Sequence, residues 1–169
     1  MTTFDTTLHW TIAETDIGPC MVITGPAGVR EIRLREADPE RSASEVHAVR
    51  DDDGLRAMAE ALAGLVDGSR TEFPFPVDLD RGTPFQRTVW TELRRIERGE
   101  TVTYGELAAR IGRPGAARAV GGAVGANPVP IVVPCHRVLA AGDKLGGNSG
   151  GLEVKRHLLR VEGVAWREE

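Results

Sequence analysis

Three short β-branched or alternating runs lie near the N-terminus, TLHWTIA (7–13), PCMVIT (19–24) and VREIRL (29–34), separated by the turn formers of TDIGP and GPAG. The pattern predicts antiparallel strands joined by tight turns. After an acidic stretch ending in Asp51-Asp52-Asp53-Gly54 the apolar period lengthens, and Leu55, Met58, Leu62, Leu65 and Val66 fall on one helical face. The expectation for this half is a three-stranded antiparallel sheet carrying one helix.

Residues 68–82, GSRTEFPFPVDLDRG, carry Gly and Pro punctuation and no helical period, which marks a linker between a domain at 1–80 and a second at 81–169. Thr83-Pro84-Phe85-Gln86 then supplies a capping residue, Pro at the first helical position and Gln at the third, predicting a helix to about Glu97 with Phe85, Val89, Leu93 and Ile96 inward. Thr103-Tyr104-Gly105-Glu106 repeats the capping box and opens a short helix containing Leu107, Ala108 and Ile111, which stops at Gly112-Arg113-Pro114-Gly115. A further helix runs from Ala116 to about Ala126, giving the outline of a helix-turn-helix; spacing alone fits a helical hairpin in a core equally well. The composition of that last helix adds a cue: AARAVGGAVGA is almost wholly small, with Arg118 its single charge, so one face can approach another surface closely. Ile131-Val132-Val133 reads as a very short buried strand leading into Pro134-Cys135-His136-Arg137-Val138.

With 41% hydrophobic and 27% charged residues, the 169-residue chain has the balance of a soluble globular protein, and its apolar runs are too short to cross a bilayer. The N-terminal MTTFDTTLHW has no secretory pattern, so the cytoplasm is expected. The net charge of -4 hides an asymmetry: residues 1–80 hold 7 Lys/Arg against 16 Asp/Glu, whereas residues 81–169 hold 14 against 9. Only the second half suits a polyanion.

Two cysteines, Cys20 and Cys135, share no CxxC pattern, so neither a zinc finger nor a disulfide framework is suggested, and His9, His47 and His157 have no metal-ligand spacing. No metal or cofactor is expected. Cys20 reads as a buried strand thiol. Cys135, behind a stiff proline-bounded segment and followed by His136, has the setting of an activated nucleophile, although neighbours in an extended segment point apart and a lone cysteine is commonly a small core hydrophobe.

PCHRV, preceded by ARAVGGAVGANPVPIVV and followed by GGLEVKRHLLRVEG, closely resembles the active-site region of the O6-alkylguanine-DNA alkyltransferases, also called methylated-DNA–protein-cysteine methyltransferases. The likeness runs from about Gly82 to Gly163 and more weakly over the N-terminal strands. It implies a ribonuclease-H-like α/β N-terminal domain and a mostly helical, winged helix-turn-helix-like C-terminal domain. It also implies direct-reversal DNA repair: one irreversible transfer of an alkyl group from guanine O6 to Cys135, without a cofactor. By the same resemblance His136 deprotonates Cys135 through a water, Glu162 holds the histidine tautomer, and Asn127 ties the recognition helix to the active-site turn. Tyr104 would point its hydroxyl at guanine N3 and press on the adjacent phosphate. The backbone N–H of Ser149 would lie near O6, and the carbonyls of Cys135 and Val138 would accept from the exocyclic amine.

The partner implied is duplex DNA, with Ala116, Ala117 and Gly121 allowing close approach to the minor groove and Arg118 filling the gap left by an everted nucleotide. A monomer is expected; cooperative alignment on DNA, the alkyl size accepted and activity on O4-alkylthymine stay open. The sequence departs from the family at Asn148, where a tyrosine usually walls the alkyl pocket, which predicts a more open and more polar pocket. An alternative is a non-catalytic alkyl-lesion sensor of the same fold, but such proteins lack the acceptor cysteine. A transcription factor would need more base-reading side chains and a dimerisation segment.

Overall fold

The computed structural model describes residues 5–168, and the chain divides into two compact units, Met1–Asp78 and Leu79–Glu169. In the first, β1 (Leu8–Thr15), β2 (Gly18–Gly25) and β3 (Gly28–Arg33) form an antiparallel meander, with Trp10 opposite Ile23 and Val22 opposite Ile32. β2 is buried from Cys20 to Thr24, as befits a strand covered on both faces. Trp10, Met21 and Ile23 share a cluster with Ala43 of α1 (Pro39–Glu45), while α2 (Arg56–Asp67) packs against β1. α2 buries Met58, Ala61, Leu62 and Val66 and stops at Gly68, whose φ of +83° is the left-handed cap geometry glycine adopts without strain.

The sheet has four strands, not three, and is not wholly antiparallel. β4 (Ala48–Arg50) pairs parallel with β1, giving the order β3-β2-β1-β4. The acidic stretch hid both α1 and β4 because α1 buries only Ala43 and β4 leaves Val49 53% exposed, so neither leaves a hydrophobic period. A polar signal was present: Asp38 caps α1 by accepting from the Arg41 N–H at 3.2 Å, with Pro39 next. Residues 76–78 run beside β3, where the Val29 N–H donates to Pro76 O at 3.0 Å and the Asp78 N–H to Val29 O at 2.7 Å. Gly28, at φ +126°, is needed there because a β-carbon would collide with the Pro76 backbone.

In the second unit α3 (Pro84–Leu93) and α4 (Tyr104–Arg110) both begin with complete capping boxes, Thr83 with Gln86 and Thr103 with Glu106. α3 ends at Leu93 rather than near Glu97. The chain there tightens into i→i+3 bonds, Arg95 N–H to Glu92 O and Ile96 N–H to Leu93 O, and Ile96 is buried from that turn rather than from a helix. Phe85 is only half-buried, with the Arg113 guanidinium 5.5 Å above its ring. Ile111 caps α4 and is likewise half-buried. α5 (Ala117–Gly125) packs against α3 and α4, and the Trp90 indole N–H donates 2.8 Å to Ala123 O, fixing α5 on α3. β5 (Val102–Thr103) pairs parallel with β6 (Val138–Leu139), and α6 (Leu152–Val161) follows. Among the described residues no helix is long and apolar enough to cross a membrane.

Trp90→Phe removes a buried donor while keeping an aromatic core residue, so it should lower the unfolding free energy by about 1–2 kcal/mol. A lower urea midpoint at constant slope would show this; an unchanged midpoint would mean that the indole bond does not hold α5.

Candidate active site

The segment between α5 and β6 is shaped from its first residue. Buried Asn127, just past α5, donates from Nδ2 to Val133 O at 2.8 Å and accepts from the Val129 N–H at 3.0 Å, so one side chain closes the 127–133 turn from within. The Val133 N–H reaches Val129 O at 2.9 Å, and buried Ile131 takes φ +75°. A β-branched residue in that region costs on the order of 1–3 kcal/mol, tolerated only where its surroundings dictate the turn. Residues 131–133 are therefore a turn, not the expected strand, because Pro128, Pro130 and the Asn127 bonds replace a ladder. Out of it comes a single 3-10 turn, Cys135–Arg137, closed by the Val138 N–H on Cys135 O.

That turn separates its three side chains. Cys135, 6% exposed, lies in the wall of a cavity of about 170 Å³ that also meets Tyr104 of α4, Gly121 and Val124 of α5, and Asn148 and Ser149 of the loop before α6. The Tyr104 ring lies between two glycines: a β-carbon on Gly121 would come 3.7 Å from its Cδ1, and one on Gly146 3.6 Å from its Cε2. A wider, shallower hollow of about 570 Å³ between α3 and α4 is lined by Arg87, Arg95 and Arg110 and contains neither cysteine nor histidine.

His136 is buried, with Nε2 2.8 Å from Glu162 Oε1 just past the end of α6. Arg137 grips the same carboxylate, Nη2 to Oε1 at 2.8 Å and Nε to Oε2 at 2.9 Å, and its Nη1 donates to Ile96 O at 2.6 Å. Burial, the largest influence on Glu162, would raise its pKa, but hydrogen bonds and charge from His136 and Arg137 outweigh it and hold the carboxyl at about 2. A carboxylate only accepts, so the His136 proton sits on Nε2 and the lone pair on Nδ1. Nδ1 is the one buried side-chain polar atom without a protein partner among the described residues. Burial pushes the His136 pKa down, against the pull of Glu162, so the ring is neutral at physiological pH. Burial likewise pushes the Cys135 thiol up, opposed by Asn127, the Lys155 charge and nearby backbone N–H groups. At rest the thiol keeps its proton and the imidazole of the next residue is neutral, so the sulfur needs a proton acceptor to become an anion.

Lys155 of α6 is fully buried, donating to Val138 O at 2.6 Å and Gly147 O at 3.0 Å. On the outer side of α5, Arg118, Ala119, Gly122 and Gly125 are exposed, Ala116 and Ala117 are half-buried, and Arg118 has no ion-pair partner among the described residues.

A protein-family model described as 6-O-methylguanine DNA methyltransferase, DNA binding domain, matches residues 84–164. The methylated-DNA–protein-cysteine methyltransferase of Mycobacterium tuberculosis strain H37Rv is 42% identical over 155 residues, 92% of each chain. The chain belongs to this methyltransferase family. The Methanosarcina acetivorans member is 36% identical over 92% of this chain and 99% of its own. Among solved structures, Mycobacterium tuberculosis OGT in complex with DNA matches with a TM-score of 0.80 at 42% identity, covering 91% of this chain and 92% of that one. The O6-methylguanine-DNA methyltransferase of Pyrococcus kodakaraensis strain KOD1 matches at 0.68 and 29% identity, over 94% and 100%.

In this methyltransferase Cys135, Tyr104, Gly121, Asn148 and Ser149 meet at one cavity, whereas His136, Glu162, Asn127 and Val138 are outside its lining and bonded around the turn that carries Cys135. Arg118, Ala116 and Ala117 lie away from that cavity's lining, on α5 and its cap. Asn148 donates to Gly151 O at 3.0 Å, bracing its own loop. Sequence reasoning missed Arg137 and Lys155. The signal for Lys155 was its place on the buried stripe of α6 with Val154, Leu158 and Leu159, where a lysine needs buried acceptors. Among the described residues no three His, Cys, Asp or Glu side chains group as metal ligands.

Because Glu162 holds its proton more weakly folded (about 2) than at its ordinary 4.5, it stabilises the fold fully above that ordinary value, and the contribution drains away as pH falls through about 2. Its size is on the order of 3 kcal/mol. Urea midpoints measured across this acid range should fall steeply for the wild type and less for Glu162→Gln; parallel curves would show that the carboxylate is not held this way.

Proposed function

We propose that this family member repairs alkylated duplex DNA by direct reversal, moving the alkyl group from guanine O6 to Sγ of Cys135 once per molecule. The observation that carries this reading is a thiol in the wall of a base-sized cavity, with a histidine next in the chain whose tautomer is dictated by a buried carboxylate. The thiol proton passes to His136 Nδ1 through a water that also satisfies that orphaned nitrogen, and Glu162, kept ionised by Arg137, stabilises the imidazolium. The thiolate then attacks the alkyl carbon. The S–C bond forms as the C–O6 bond breaks, its electron pair stays with the base, and one proton taken up by the base restores guanine. The thioether has no good leaving group, so the protein is spent.

Charge gathers on the purine during the displacement, and donors aimed at it lower the barrier. Tyr104 supplies its hydroxyl toward N3 and the Ser149 N–H serves O6, while the carbonyls of Cys135 and Val138 select guanine by its exocyclic amine. A reducing compartment, the cytoplasm, keeps Cys135 a thiol; both cysteines are free. Asn148, its amide engaged with Gly151, leaves the alkyl side of the cavity open. The lesion-sensor reading finds no support, since the acceptor cysteine is present and lines the cavity.

DNA meets α5. Gly122 and Gly125 are exposed, and a β-carbon on either would meet nothing within 4 Å beyond its own stretch of helix, so packing against the rest of the chain does not require glycine there. Each interior glycine costs the helix up to about 1 kcal/mol relative to alanine. We read their smallness, with that of Ala116, Ala117 and Gly121, as serving close approach to the minor groove, with Arg118 entering the stack as the nucleotide turns out. On this reading the second unit is a winged helix-turn-helix domain at 81–169 with β5 and β6 in its wing, and the first a ribonuclease-H-like domain at 1–80.

Excess duplex carrying O6-methylguanine should add one CH2 to the peptide containing Cys135, and Cys135→Ala should abolish this while still binding DNA. An unmodified peptide after full incubation would refute transfer. Gly122→Val should leave thermal stability unchanged or raised, weaken duplex binding about tenfold or more, and spare reaction with the free base O6-methylguanine. Equal losses on both substrates would remove α5 from the DNA interface.

A further inference from the structure

Lys155 is the one fully buried charged side chain among the described residues, and the transfer mechanism above leaves it without a task. It projects from α6 between two backbone carbonyls. One belongs to Val138, the residue directly after the turn that carries Cys135; the other to Gly147, in the irregular loop whose next two residues, Asn148 and Ser149, wall the cavity. Asn148 makes its own bonds locally, Nδ2 to Gly151 O and O from the Gly151 N–H. The bond tying this loop across to the strand behind the nucleophile therefore runs through Lys155. Among the described residues no carboxylate pairs with the ammonium: Glu162 is taken by His136 and Arg137, and the titratable groups that interact with Lys155 are the Cys135 thiol and the His136 ring.

We propose that Lys155 is a positioning residue, a protonated latch that fixes the 146–149 wall of the cavity to β6 and so sets where the everted base lies relative to Sγ. An ammonium has three donors and no acceptor, so only its charged form makes two strong bonds to carbonyls while presenting a cation toward the thiol. A buried charge without a counterion is costly, and its retention there is explained by the two carbonyls it joins. Burial draws its pKa from the ordinary 10.5 to about 8, and a negative charge on Cys135 would raise it. The latch thus loses its proton as pH rises through about 8. Formation of the thiolate strengthens the ammonium and tightens the wall at the moment of attack.

The inference rests on the transferase reading, and its test separates the two. Lys155→Met in the full chain should slow transfer from the free base and from duplex alike, by about tenfold or more, because the wall positions the base in both cases. At neutral pH its backbone 15N order parameters at Gly147–Ser149 should drop from the rigid value of about 0.85 to below about 0.6, with the rest of the second unit unchanged. In the wild type, the 13Cε shift of Lys155 should titrate near the value above, and the transfer rate should decline with the same midpoint. Lys155→Arg, which keeps its charge, should lack that alkaline decline. Wild-type rate and order in Lys155→Met, or a Lys155 titration that leaves the wild-type rate unmoved, would overturn the latch. Should Lys155→Met fail to fold, the coincidence of the two wild-type midpoints decides. If no pH gives alkylation of Cys135, the transferase reading fails, and the latch is judged on the order parameters alone.

Discussion

One carboxylate organises the reactive half of this molecule. Glu162 sits just past α6 and takes hydrogen bonds from two consecutive residues of one 3-10 turn, His136 and Arg137. Because both come from a three-residue element, gripping them fixes the third, and Cys135 is held facing the cavity. The Arg137 bond to Ile96 O ties the same cluster to the turn after α3. A buried ion pair of this kind adds little net stability over a hydrophobic substitute, but loss of one partner strands the other. Its value is geometric and electronic: an ionised Glu162 permits one histidine tautomer only.

The thiol itself is poorly disposed to ionise, since burial holds its proton on. Such a resting state suits a protein that can react once. A permanently exposed thiolate would be open to oxidation and stray electrophiles, whereas a buried thiol needing a base and a docked purine is activated mainly when substrate closes the cavity. Asn127 and Lys155 act in the same direction, each favouring the anion slightly while fastening the backbone around it.

Much of this was legible in the sequence where a local rule has a single outcome. The Thr-x-x-Gln and Thr-x-x-Glu boxes located the starts of α3 and α4, and short β-branched or alternating runs between turn formers located β1, β2 and β3. Rules of periodicity failed where burial is slight, at α1 and β4, and where side-chain bonds replace a ladder, at 131–133, whose apolar residues look like a strand but are bent by Asn127 and two prolines. At the site, the motif around Cys135 pointed to the two residues proposed above as nucleophile and base. Arg137 and Lys155 stayed hidden because their partners are a carboxylate 25 positions away and backbone carbonyls, which no residue pattern reports.

The proposed transfer depends on a neutral His136 that offers Nδ1 to the thiol proton because Glu162 occupies Nε2. Long-range 15N–1H correlation spectra of the imidazole at neutral pH test this directly. The ring should be neutral and protonated at Nε2, turning into the Nδ1-protonated form or losing its tautomeric preference in Glu162→Gln. An imidazolium, or a ring already protonated at Nδ1 in the wild type, would contradict it.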